Sequence, residues 1–183
     1  FRLDEVSWPY AFMLVSLVVA VLMTASARLS HQTNPVAWAG NLAITAAGLN
    51  AVLAASPLTL AAAWTAIDLI DLMIMLGMVN DPRLSQRVVI SFAARVAGTW
   101  VMLWAVLQAR ASGVVLNFNQ VPQQAAVYLL IAAGLRLGVL PLHLPYMSEI
   151  PMRRGVGTVL RLVIAASSLV LLVRLPADAI PPA

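Results

Sequence analysis

The chain has no cysteine and no lysine. Without cysteine it can form neither disulfides nor thiolate-ligated iron–sulfur clusters. Without lysine every basic side chain is arginine, which in practice keeps its proton even in a buried site. Histidine is almost missing as well: His31 and His143 stand far apart with no carboxylate cluster beside either, which argues against a metal site. Glycine-rich phosphate loops and a nucleophile elbow are lacking, so no cofactor and no catalytic residue is expected. Charge is scarce too. Only 10% of residues are charged against 62% hydrophobic, far from the mixture of a soluble domain, and no basic run would track a nucleic acid. The high pI reports arginines at the ends of apolar segments, plus three inside them, rather than an acidic partner.

What is present is a succession of apolar segments of membrane length. They predict an all-α integral membrane protein, a single membrane domain over residues 1–183 with about six spans. The chain opens on Phe1 rather than methionine and carries no signal-peptide pattern, so it is expected to be a segment of a longer protein.

Phe1 to Pro9 is polar and aromatic, with Trp8 and Tyr10 suited to a membrane interface. The spans then fall at about Tyr10 to Ala27, Val36 to Ala55, Leu58 to Val79, Val88 to Gln108, Ala125 to Tyr146 and Gly155 to Leu172. Asn34-Pro35 and Ser56-Pro57 mark turns and helix starts, while Asp81 to Arg87 and the stretch from Ala109 to Gln124 read as loops. Arg28, Arg83, Arg87, Arg153 and Arg154 lie on one side of this topology, and Arg2, Arg110 and Arg174 on the other. The positive-inside rule makes the first side cytoplasmic.

The charges at membrane depth carry the functional signal. Arg136 sits near the middle of the fifth span, followed by Pro141, His143 and Pro145. Pro141 cannot donate a backbone hydrogen bond, so this helix should break just past the arginine. A guanidinium at the bilayer centre costs at least about 3 kcal/mol on the lenient insertion scale, which favours a protein partner or a wet cavity. Asp68 and Asp71 are spaced to share one face of the third span. Two carboxylates in a low-dielectric setting repel each other, which favours a proton on one of them; the alternative is a fixed ion pair with Arg95, Arg136 or Arg161. His143, two residues past the break, is the only other group here of a type that can titrate near neutral pH; it reads either as a relay to cytoplasmic water or as a hydrogen-bonded structural residue. Arg95 and Arg161 lie about two turns inside their spans, within snorkelling reach of an end.

Three stretches resemble the antiporter-like subunits of respiratory complex I and of Mrp-type cation/proton antiporters. FRLDEVS at Phe1 to Ser7 is similar to the F-x-x-D-x-x-S start of the family's third helix. SPLTLAAAWTAIDLIDLMIML resembles the fifth helix, usually Trp-Glu and an apolar run, and GLRLGVLPLHLPY resembles the broken seventh helix. With Trp64 on the family's tryptophan, Thr65 takes the glutamate position; Arg136 takes the seventh-helix lysine, Arg161 a histidine found in some eighth helices, and Ser167 a lysine found in others. The likeness implies helices three to eight of a bundle of about fourteen.

It further implies proton or cation translocation within a larger, quinone-linked respiratory complex of a bacterial inner membrane, the chain contacting lipid and other membrane subunits. The proton pathway would draw on Asp68, Asp71, Arg136, His143, Arg161 and Arg95. Charge signs survive relative to the family while the lysine chemistry does not. Two other roles therefore stand beside the first: a structural subunit that no longer pumps, and a membrane partner of a hydrogenase or an inorganic-carbon enzyme.

Overall fold

The computed structural model describes residues 1–27, 35–78, 82–118, 121–139 and 154–175. These form six α-helices: α1 (Ser7–Ala27), α2 (Pro35–Val52), α3 (Pro57–Met78), α4 (Pro82–Ala111), α5 (Gln123–Leu137) and α6 (Arg154–Arg174). The fold is all-α, as the segment pattern predicts.

Local sequence sets the helix ends. Before α1, the Ser7 amide donates to Asp4 Oδ1 at 2.8 Å and the Asp4 amide to Ser7 Oγ at 2.9 Å, a reciprocal cap over the first turn. Ser56 and Thr59 make the same exchange ahead of α3, at 3.2 and 3.3 Å. Helices α2, α3 and α4 each begin on proline, whose missing N–H is no loss in a first turn. Pro82 therefore starts α4 six residues before the span expected at Val88, and most of the expected loop from Asp81 to Arg87 is helix instead. At the other end α4 stops in two bonds, Gly113 N–H to Arg110 O at 3.0 Å and Val114 N–H to Ala109 O at 2.9 Å.

Helix α5 ends early. Gly138, at φ 74°, takes the left-handed conformation that a side chain disfavours, and Val139 N–H donates back to Gly134 O at 3.0 Å. The stop is thus a glycine cap one residue after Leu137; Pro141, to which the sequence assigns the break, lies outside the described residues. With 15 residues α5 is about 22 Å long, whereas the 30 residues of α4 reach about 45 Å. A hydrocarbon core is about 30 Å thick, so the described α5 is too short to cross it.

The helices close a ring. Each packs on the next in sequence, α6 returns to α1, and α2 also meets α6. Leu14, Ile44, Trp64, Ile67, Met75, Met102, Leu129 and Leu171 fill the interior. The outside is apolar as well: on α1, Trp8, Phe12, Val15, Val19 and Met23 are all exposed. Four helices, α1, α3, α4 and α6, contain segments long and apolar enough to cross a membrane. Apolar side chains facing outward are what lipid would cover, and the chain is built as an integral membrane bundle.

Candidate functional site

Three helices bring their charges to one place. On α3, Trp64, Asp68 and Asp71 recur at helical spacing and are all buried. On α4, Ser91, Arg95 and Thr99 form a buried polar stripe at four-residue intervals. Arg136 is buried on the last turn of α5, where a cation also suits the negative end of the helix dipole. Counted along the helices, Asp68, Arg136 and Arg95 lie about 16, 20 and 24 Å from the same end of the bundle, well inside it.

The contacts form a chain of alternating sign. Arg136 Nη1 donates to Asp68 Oδ2 at 2.7 Å. Arg95 Nε approaches Asp68 Oδ1 at 3.2 Å, and its Nη2 donates to Asp71 Oδ2. Arg95 Nη1 reaches Ser91 Oγ at 3.4 Å. Arg136 is held further by Trp64: its Nη2 donates to the Trp64 carbonyl at 3.2 Å, and its guanidinium lies 4.5 Å from the indole ring centre. The order across the site is Asp71, Arg95, Asp68, Arg136, so formal charges cancel.

The network spans a gap. Helices α3 and α5 both pack on α4, and the Arg136–Asp68 pair reaches from one to the other. Close α4–α5 packing makes this reach short: a Cβ placed on Gly98 would stand 3.0 Å from the Ala132 carbonyl oxygen. Hydrogen bonding is incomplete within the network. Asp68 Oδ1, Asp71 Oδ1, Arg95 Nε, Arg136 Nε, Trp64 Nε1 and Thr99 Oγ1 are buried without a hydrogen-bond partner among the described residues. The 3.2 Å approach of Arg95 Nε to Asp68 Oδ1 is therefore coulombic rather than an aligned bond. Each carboxylate keeps one oxygen able to accept a proton or a donor.

Four of the residues expected in a proton pathway, Asp68, Asp71, Arg95 and Arg136, meet here. Arg161 does not join them; it is exposed on α6. His143 lies outside the described residues. Ser167 is buried, and its hydroxyl donates to the Ile164 carbonyl at 3.0 Å. Sequence reasoning missed three contributors: Trp64 as the face under Arg136, and Ser91 and Thr99 as polar neighbours. Their signal was available, one turn from Asp68 and on either side of Arg95.

A second charged cluster closes the end from which these depths are counted. Arg174 Nη2 lies 3.2 Å from Asp4 Oδ2 and 3.3 Å from Asp4 Oδ1, while Nη1 donates to the Ala54 carbonyl. The guanidinium stands 5.3 Å from the Phe118 ring centre. One side chain from α6 thus ties the N-terminal segment, the α2–α3 turn and the segment after α4. Burial pushes the Asp4 carboxyl up, but the Ser7 amide, the Ser7 hydroxyl and Arg174 together outweigh it and hold it below its ordinary value.

Comparison of this chain with protein-family models, with curated proteins and with solved structures finds no match.

Proposed function

We propose that this chain translocates protons, or another cation, as an antiporter-like subunit of a larger, quinone-linked respiratory complex in a bacterial inner membrane. One observation carries the reading: Arg95 stands between two buried carboxylates inside the bundle. A simple staple needs one acid and one base. An arginine facing two acids can favour either, and the acid it leaves takes a proton to escape a bare buried charge. Asp71 is the member with a single guanidinium partner among the described residues, so it is the one left when Arg95 turns to Asp68. Both arginines keep their protons, and the carboxylates carry the load. The resemblance of the Trp64 and Arg136 stretches to antiporter-like subunits supports the same reading.

A structural subunit that no longer pumps is the second reading. Its support is that both membrane carboxylates already have a guanidinium partner. Reconstituted vesicles separate the two. Replacing Asp68 and Asp71 together by Asn should abolish dye-reported proton flux while leaving the protein in its complex. Loss of the complex, from a wild type that shows no flux, would establish the structural reading.

A further inference from the structure

Arg161 is an exposed cation on an apolar membrane helix. Two arginines inside the bundle, Arg95 and Arg136, are paired with the carboxylates Asp68 and Asp71, so the interior network is already neutral. The inward side of α6 is occupied by α1, α2 and α5. Arg161 shares the outer side with Leu169 and Val173, which are 40% and 57% exposed and would face hydrocarbon. A guanidinium left in that setting is costly, so it must reach interfacial water or an anion outside the described bundle.

Depth and direction choose the anion. Arg161 lies about 10 Å along α6 from its first residue. Side chains on an α-helix tilt towards its N-terminus, so an arginine at this position extends towards the near surface and not towards the bilayer centre. That surface is the arginine-rich one, with Arg153 and Arg154 in the sequence just ahead. A cation snorkelling to this level meets lipid phosphate, and charge complementarity favours an anionic headgroup. We infer that Arg161 anchors the phosphate of an anionic phospholipid in the arginine-rich leaflet. The inference rests on the membrane reading of the helices and not on translocation.

The test is a double difference in thermal midpoint. The chain is placed in nanodiscs of phosphatidylcholine alone or with phosphatidylglycerol, as wild type, Arg161→Leu and Arg161→Lys. Phosphatidylglycerol should raise the midpoint by about 2–4 °C more for wild type than for Arg161→Leu, with Arg161→Lys between them. Dipolar dephasing between labelled arginine Cζ and lipid phosphorus should likewise weaken in Arg161→Lys, which gives a readout independent of stability. Equal gains in wild type and Arg161→Leu would overturn the inference. So would equal stabilisation of wild type by inorganic phosphate in lipid-free micelles. Loss of a co-purifying membrane protein in Arg161→Leu, with the lipid response unchanged, would replace the phosphate by a protein carboxylate.

Discussion

Arg136 Nη1 stands 2.7 Å from Asp68 Oδ2, joining two helices that both pack on a third. Asp68 offers its other oxygen to Arg95, so removing Arg136 does not leave it alone but leaves the network one negative charge in excess. The charge balance, more than any single contact, governs what substitutions do.

Replacing Arg136 by Met should cost about 3–5 kcal/mol, the usual penalty for breaking a buried pair from one side. Adding Asp68→Leu removes one charge of each sign and leaves the neutral Arg95–Asp71 pair. The double variant should therefore recover much of the loss. Denaturation midpoints in detergent check this, and a double variant as unstable as Arg136→Met would refute the balance argument.

The approach of α4 to α5 is testable at glycine. At Gly98 a new side chain meets the Ala132 carbonyl at 3.0 Å, and backbone cannot swing aside. Gly98→Val should destabilise by about 1–3 kcal/mol and loosen the reach of Arg136 to Asp68. At Gly77 nothing lies within 4 Å of the added carbon, so Gly77→Ala should be neutral or gain up to about 1 kcal/mol of helix propensity. Thermal unfolding of both variants gives the comparison.

Much of this arrangement is legible in the sequence, for physical reasons. Asp68 and Asp71 are rare charges in apolar segments, and rarity forces pairing, so the expected ion pair between Arg136 and an aspartate is in place. Helix starts at Ser56-Pro57 are equally plain, because the cap chemistry is local. The end of α5 was harder to read. Gly138 and Pro141 both interrupt helices, and composition cannot say which acts first; the left-handed turn and the bond from Val139 to Gly134 decide it. The facing of Arg95 and Arg161 was not legible either. Both lie about two turns inside a span, yet one points into the ring and the other out, a difference set by neighbouring helices.

Acid should release the Arg174 clasp. The Asp4 carboxyl is held below its ordinary value of 3.8, so the folded chain binds that proton less readily than the unfolded one. Its contribution to stability is full above the unfolded value and is lost as pH falls below about 3.8 through the lower folded value. Asp4→Asn should flatten this acid limb and leave the neutral region with a constant offset. Unfolding midpoints measured across the acid range give the slope, and an unchanged limb in Asp4→Asn would exclude the clasp as its source.

The most direct test of a proton-carrying network is infrared spectroscopy of the reconstituted protein, following the carbonyl stretch of a protonated carboxylic acid as pH is lowered from alkaline to mildly acidic. A buried carboxyl band should grow as protons load, be lost in Asp71→Asn, and run in parallel with proton flux. A band that persists unchanged in Asp68→Asn with Asp71→Asn, or flux without any such band, would contradict it.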